Sequence, residues 1–155
     1  MRIKSMFFGI LAGGVLLLSL AACQINANMS PLQTQLAALS GHYVWNSQEK
    51  MYAYTNPSGL DEIAQAYDLE TLLPQLVSCM DNATPTQSTL NHEAVPLGVL
   101  CYQTITLLVY HEEVNEGGDL LDWPGYIHLP ASPADLKAAQ EAWRKVISEK
   151  NYVVQ

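Results

Sequence analysis

Two His–Glu neighbours are the arrangements in this sequence closest to a base beside a carboxylate. They are His92-Glu93 and His111-Glu112, and two further imidazoles occur at His42 and His128. Adjacent residues on a helix point in different directions, so neither pair forms a dyad by its spacing. The chain has no His-Glu-x-x-His motif, no Gly-x-Ser-x-Gly motif and no phosphate-binding loop. We therefore expect no enzymatic activity.

An acidic segment offers oxygen atoms of the type that calcium ions bind. Its polar residues are Glu113, Asn115, Glu116, Asp119 and Asp122. If Glu113 is the first position of a calcium loop, the twelfth is Pro124, where that loop requires a bidentate glutamate. We therefore interpret the segment as a solvated loop, and we predict no metal ion and no cofactor.

The N-terminus has the parts of an export signal. Arg2 and Lys4 give a positively charged start, and an apolar run then extends from Phe7 to Leu20. The residues Leu20-Ala21-Ala22-Cys23 resemble the lipobox of bacterial lipoproteins. The apolar run is short for a membrane span, which needs roughly 20 residues. A non-cleaved anchor and an ordinary secretory peptide are the alternatives.

The resemblance implies an anchor and a location. It implies that Cys23 receives a diacylglycerol on its sulfur, becomes the first residue after cleavage, and is acylated on its new amino group. Several acyl chains together hold a protein on a bilayer. A residue other than Asp after the cysteine, here Gln24, usually permits export to the outer membrane. The expected location is the outer membrane of the bacterial envelope, facing the periplasm.

The chain is expected to have three parts. Residues 1–22 form the signal peptide that is removed, residues 23–30 form the lipidated cysteine and a flexible tether, and residues 31–155 form a single helical domain. Loss of Arg2 and Lys4 leaves five of the 7 basic residues against 15 acidic ones. An acidic surface repels nucleic acid, so no nucleic-acid partner is expected. The charge is explained either by solubility or by a basic partner protein.

Cys79 and Cys101 remain as a pair once Cys23 carries lipid. Two cysteines in an oxidising compartment most often form a disulfide, which here would join two helices. A free nucleophilic thiol is the alternative, but neither cysteine lies in a Cys-x-x-Cys or other catalytic motif. We predict the Cys79–Cys101 disulfide.

Several segments carry helix signals. Ser30-Pro31 and Ser132-Pro133 are each typical of an N-cap with proline at the first helical position. A leucine stripe starts at Leu69, and Val95 to Tyr110 is apolar nearly all round, as in a central helix. A strand over Thr104 to Tyr110 is the alternative there. Residues 60–67 have helical composition, and residues 81–93 are predicted to be a loop.

Residues 42–54 allow two structures. Tyr43-Val44-Trp45 and Met51-Tyr52-Ala53-Tyr54 fit the arms of a hairpin, whereas Asn46 followed by Glu49 resembles a capping box that opens a helix. We favour the helix. The predicted fold is therefore mainly α, a small single-domain bundle of four or five helices, with a short β-hairpin near residues 42–54 as the alternative.

Six aromatic residues lie outside these stripes, and they indicate either a binding surface or filling between helices and loops: Tyr43, Trp45, Tyr52, Tyr54, Trp123 and Tyr126. We predict a non-catalytic, lipid-anchored envelope protein that acts through protein–protein interaction, such as an immunity or inhibitor protein or an assembly accessory. A module that binds cell-wall glycan or another envelope ligand is the alternative, which an open groove lined by Tyr and Trp would favour. The predicted interaction surface consists of Glu112, Glu113, Glu116, Asp119, Trp123 and Tyr126.

Overall fold

The computed structural model describes residues 28–111 and 123–155. Within them the elements, in chain order, are α1 (Pro31–Ala38), β1 (His42–Asn46), β2 (Met51–Tyr54), α2 (Pro57–Gln65), α3 (Leu69–Cys79), β3 (Pro85–Leu90), β4 (Glu93–Pro96), α4 (Leu97–Leu108), β5 (Val109–His111), α5 (Pro133–Glu149) and β6 (Tyr152–Val154). The mainly α bundle is therefore wrong, because two sheets accompany the helices in an α/β arrangement.

The larger sheet is mixed and has the strand order β2-β1-β3-β4. Strand β1 runs antiparallel to β2 and parallel to β3, and β3 runs antiparallel to β4. Strands β5 and β6 form a separate antiparallel pair. This pair returns the C-terminus to α4, since the Gln155 backbone N–H donates to the Leu108 carbonyl at 2.9 Å.

The helix favoured within residues 42–54 is wrong, and the alternative hairpin forms. Asn46 makes the local bonds that suggested a helix cap: its Oδ1 accepts from the backbone N–H groups of Gln48 at 3.0 Å and Glu49 at 3.3 Å. Lys50 then has a φ of 52°, a left-handed conformation that reverses the chain instead of continuing a helix. The signal marked a turn between two strands.

The loop predicted over residues 81–93 is also wrong in part, because it contains β3. Thr86, Ser88 and Leu90 alternate along this strand and are buried. Both hydroxyls are satisfied, because Thr86 Oγ1 donates to the Val95 carbonyl at 2.9 Å and Ser88 Oγ donates to the Leu39 carbonyl at 2.7 Å. A strand that buries hydroxyls has the composition of a loop, which explains the error.

The predicted disulfide is confirmed. Cys79 at the end of α3 is bonded to Cys101 in α4, with 6.1 Å between their Cα atoms. The helices also approach closely beside it, because a Cβ on Gly98 would collide with the backbone carbonyl oxygen of Met80. The covalent link and the glycine contact together fix α3 against the start of α4.

The central helix is shorter than predicted. α4 ends at Leu108, and the last two residues of the predicted helix, Val109 and Tyr110, lie in β5. The favoured helix is thus correct for Leu97 to Leu108, and the alternative strand is correct for Val109 and Tyr110. β-branched and aromatic residues favour the extended conformation where a strand partner, here β6, is present.

The last helix agrees closely with its sequence signals. In α5, Ser132 Oγ accepts from the Asp135 backbone N–H at 3.2 Å, and the Asp135 carboxylate accepts from the Ser132 backbone N–H at 2.8 Å. Pro133 occupies the first helical turn. The helix buries Leu136, Ala139, Gln140, Trp143 and Val146.

The core lies between α3, α4 and α5 and continues between α1, α4 and the large sheet. Its largest fully buried side chains include Leu76, Leu100, Ile105 and Trp143. In residues 28–111 and 123–155, no helix has both the length and the apolar character needed to cross a membrane.

Candidate functional site

A cleft of about 660 Å³ opens between the β1–β2 hairpin, α4 and the segment 123–129. All 3 tryptophans of the chain and six of its 8 tyrosines line it. The volume lies in the usual range for small-ligand sites, which are mostly apolar with a few well-placed polar groups. We therefore take this cleft as the candidate site.

The hairpin supplies one wall of the cleft as two aromatic pairs. Strand pairing sets Tyr43 opposite Tyr54 and Trp45 opposite Tyr52. The ring centroids of Tyr43 and Tyr54 are 4.9 Å apart, and those of Trp45 and Tyr52 are 5.3 Å apart with the rings edge to face. Alternation along a strand puts all four rings on one face of the hairpin.

This wall runs from the core to solvent. Tyr43 is 5% exposed and Tyr54 is 8% exposed, whereas Trp45 at the far end is 53% exposed. The inner pair is therefore part of the folded interior, and Trp45 presents a large open surface at the mouth of the cleft. An exposed indole at a cleft mouth is suited to contact with a ligand.

Helix α4 supplies the floor through Tyr102, Gln103 and Thr106. The Tyr102 hydroxyl interacts with the Ile127 backbone. The Gln103 side chain is partly buried, and its amide can both donate and accept a hydrogen bond. The floor is thus the more polar part of an aromatic cleft.

The opposite wall contains both of the predicted aromatic site residues, Trp123 and Tyr126. Trp123 stacks on His111 with 5.1 Å between ring centroids, and it meets Trp143 edge to face at 5.1 Å. Trp143 Nε1 in turn donates to the Gly125 carbonyl at 3.1 Å. These contacts fix Trp123, and both Trp123 and Tyr126 line the same cleft as the hairpin aromatics.

The acidic part of the predicted surface lies outside the described residues. It comprises Glu112, Glu113, Glu116 and Asp119. Cys23, the predicted lipidation site, also lies outside them. Among the described residues, the structure brings together the two aromatic members of that predicted set, and it adds the hairpin residues to them.

The described lining of the cleft carries little net charge. Besides its two histidines, the charged side chains on it are Glu49 and Lys50, which are of opposite sign. Burial raises the pKa of Tyr43 and Tyr102 far above the ordinary value for tyrosine, so both hydroxyls stay protonated. The cleft thus offers ring faces and neutral hydrogen-bonding groups, which suit a neutral polar ligand.

The imidazoles considered for chemistry are dispersed. His92 is exposed in the turn between β3 and β4, with a φ of 70°. His42 is also exposed, and its Nδ1 lies 3.2 Å from the Thr55 hydroxyl. His111 and His128 line the cleft. Among the described residues, no group of three or more His, Cys, Asp or Glu side chains is placed to hold a metal ion.

The hairpin half of the site was considered from the sequence as a possible binding surface, but it was not included in the predicted site. The signal was present, because Tyr43 and Trp45 are two residues apart, as are Tyr52 and Tyr54, which is the spacing of one strand face. The sequence also contains one Ser-x-x-Lys spacing that its analysis did not consider, at Ser47 and Lys50. Both residues are exposed in the hairpin turn, where that spacing does not place them on a helix face.

The chain matches no protein-family model, no curated protein and no solved structure.

Proposed function

We propose that this protein is a non-catalytic, lipid-anchored binding protein of the bacterial envelope, and that its aromatic cleft takes a neutral cell-wall glycan. The observation that carries the proposal is the cleft itself, which collects all 3 tryptophans and six of the 8 tyrosines around about 660 Å³. Of the two functions expected from the sequence, this is the one that an open groove lined by Tyr and Trp supports.

The chemistry of the lining favours a sugar over other ligands. A pyranose ring has apolar C–H faces that stack on aromatic rings and hydroxyls that bond to side chains such as Gln103 and the tyrosines. A hydrocarbon chain would leave those polar groups unpaired. A cationic ligand would need a carboxylate in excess, but among the described lining residues Glu49 is balanced by Lys50.

The expected location agrees with this ligand. A lipid on Cys23 would hold the domain at a membrane that faces the cell wall. The six residues from Gln24 to Met29, at roughly 3.3 to 3.6 Å each when extended, reach about 20 Å from the head groups. An anchored glycan-binding domain would then work beside the wall.

Co-sedimentation with purified cell-wall sacculi tests the proposal. Trp45→Ala removes the exposed indole at the cleft mouth, and Val44→Ala is the matched control. Val44 is 48% exposed on the neighbouring position of β1, and it is not among the residues that line the cleft. We expect wild type and Val44→Ala to sediment equally, and Trp45→Ala to lose at least about tenfold in affinity, a difference of about 1.4 kcal/mol. Equal sedimentation of both variants, or no sedimentation of the wild type, would contradict the proposal.

The interaction function with a basic envelope protein stays a prediction. Its acidic residues are outside the described part of the chain, and its aromatic residues line the cleft. Changing Glu112, Glu113, Glu116 and Asp119 together to Lys tests it in a pull-down. Loss of the captured partner would support the charge-driven interaction, and unchanged capture would exclude it.

A further inference from the structure

We infer that the Tyr43 hydroxyl is a buried hydrogen-bond donor for an acceptor oxygen of the ligand, and that Tyr43 thereby sets the specificity of the inner end of the cleft. This inference rests on the proposed function, because it names the residue and the ligand atom that meet there. The acceptor is a hydroxyl, ether or amide carbonyl oxygen, each of which is present in cell-wall glycans.

The starting observation is that Tyr43 has no hydrogen-bond partner for its hydroxyl within residues 28–111 and 123–155. The side chain is 5% exposed, and solvent does not reach the hydroxyl oxygen. A buried hydroxyl without a partner destabilises a folded protein, and such groups are rare. Tyr43 also lines the cleft, so its side chain borders the space that a ligand would fill.

The hydroxyls of the two tyrosines near Tyr43 interact with other parts of the protein. Tyr54 and Tyr102 are the groups close enough to influence the ionisation of Tyr43. The Tyr54 hydroxyl lies 2.6 Å from Ser88 Oγ, and the Tyr102 hydroxyl interacts with the Ile127 backbone. The Tyr54 hydroxyl is thus satisfied by the protein itself, whereas the Tyr43 hydroxyl has no partner among the described residues.

The state of the hydroxyl defines what it recognises. Burial keeps it protonated, so it has a proton to donate. An acceptor oxygen of the ligand satisfies it, whereas a hydrocarbon would leave it unpaired. Because solvent does not reach the oxygen in this structure, the ligand must move the side chains that cover it. The inner end therefore favours a ligand whose hydrogen bond with the Tyr43 hydroxyl offsets the free-energy cost of moving those side chains.

Two tyrosine-to-phenylalanine variants give a matched test. Tyr43→Phe removes the hydroxyl that has no partner among the described residues, and Tyr54→Phe removes the hydroxyl bonded to Ser88 from the neighbouring ring. The purified full-length protein is titrated with soluble glycan fragments that a muramidase releases from sacculi, and each variant is also unfolded in urea without ligand. Trp45→Ala and Val44→Ala are titrated in parallel.

We expect Tyr43→Phe to unfold at the same or a higher urea concentration than the wild type and to bind the fragments about tenfold more weakly. Tyr54→Phe is expected to unfold at a lower urea concentration. Weaker binding of the fragments without a loss of stability is a result that a purely structural role for the Tyr43 hydroxyl does not produce.

Three results would overturn the inference, and they differ in what else they overturn. If Tyr43→Phe binds as tightly as the wild type while Trp45→Ala does not, the glycan proposal stands and only the role of Tyr43 fails. If Tyr43→Phe unfolds more easily, the hydroxyl has a structural partner such as an enclosed water. If the wild type binds no fragments, the glycan proposal fails and the role of Tyr43 fails with it.

Discussion

Tyr43 and Tyr54 face each other across the β1–β2 hairpin with 4.9 Å between their ring centroids, yet only the Tyr54 hydroxyl has a partner among the described residues. Because Ser88 Oγ donates to the Leu39 carbonyl at 2.7 Å, the Tyr54 hydroxyl is the donor in its 2.6 Å bond to Ser88. The same residue type thus makes a structural hydrogen bond at one position and, among the described residues, has a buried hydroxyl without a partner at the other.

Tyr54→Phe should destabilise the protein by about 1 kcal/mol, because it removes one buried hydrogen bond while Ser88 keeps its bond to Leu39. Tyr67→Phe is the control, since the Tyr67 hydroxyl donates to Gln35 Oε1 at an exposed position. Urea unfolding should show a clear loss for the first variant and a much smaller one for the second. Equal losses of unfolding free energy in the two variants would mean that the bond between Tyr54 and Ser88 does not contribute measurably to stability.

Reduction of the Cys79–Cys101 disulfide should lower the free energy of unfolding by about 3 to 4 kcal/mol. The bond limits the unfolded chain over a separation of 22 residues, and it joins α3 to α4. Thermal unfolding with and without reductant measures the effect. The double variant Cys79→Ala, Cys101→Ala should be less stable and should not respond to reductant. A wild-type transition that is unchanged by complete reduction would contradict this.

The elements that the sequence predicted well carry strong local signals. The capping box of Ser132 and Asp135 lies next to Pro133, and the structure reproduces each of its bonds. The pairing of Cys79 with Cys101 followed from the number of cysteines and the compartment. Such features depend on a few neighbouring residues or on a single covalent possibility, so the rest of the fold does not alter them.

The sheet could not be predicted in the same way, because its strands depend on distant partners. β3 buries Thr86 and Ser88, whose hydroxyls bond to Val95 and Leu39 elsewhere in the chain. Asn46 makes the same local bonds at a hairpin turn that it would make at a helix start. The hairpin aromatics were left out of the predicted site for the same reason, since strand pairing is what joins them into one face of the cleft.

Gly98→Ala should destabilise the protein by about 1 to 3 kcal/mol, because the added methyl group meets the Met80 backbone carbonyl, which cannot move without shifting α3. Gly59→Ala is the control. There the new Cβ meets the side-chain ends of Leu39 and Asn56 and not backbone. Movement of Asn56 gives up its bonds to the Gly59 N–H and the Ser40 carbonyl, and the better helix propensity of alanine in α2 offsets part of that loss. Chemical unfolding of both variants checks the difference. A larger loss for Gly59→Ala would contradict the close approach of α3 and α4.

The capping box of α5 should give a small pH-dependent contribution to stability. Hydrogen bonds from the Ser132 side chain and backbone lower the pKa of the Asp135 carboxyl. A carboxyl with a lowered pKa in the folded state stabilises the protein above its unfolded pKa, and this stability is lost as the pH falls through the folded value. Asp135→Asn should therefore be less stable than wild type near neutral pH, with the gap closing below about pH 4. If the difference in unfolding free energy between wild type and Asp135→Asn stays constant down to about pH 2, the effect comes from packing and not from ionisation of the carboxyl.

Cys23→Ser tests the predicted anchor, because serine cannot carry the thioether-linked lipid. Intact-mass measurement of the wild-type protein from the membrane fraction should give a chain that begins at Cys23 and carries diacylglycerol and an N-acyl group. Cys23→Ser should lack both additions and leave that fraction. An unmodified wild-type N-terminus would contradict the lipoprotein resemblance.

The most direct test of the central claim, that the aromatic cleft binds glycan, is the response of the tryptophan indole N–H signals in a nuclear magnetic resonance titration. The chain has 3 tryptophans, and all of them line the cleft, so every indole signal reports on it. With muramidase-released glycan fragments, Trp45 and Trp123 should shift and saturate together, and Trp143, whose indole N–H is bonded to the Gly125 carbonyl, should shift least. Three indole signals that stay in place at saturating fragment concentration would contradict the claim.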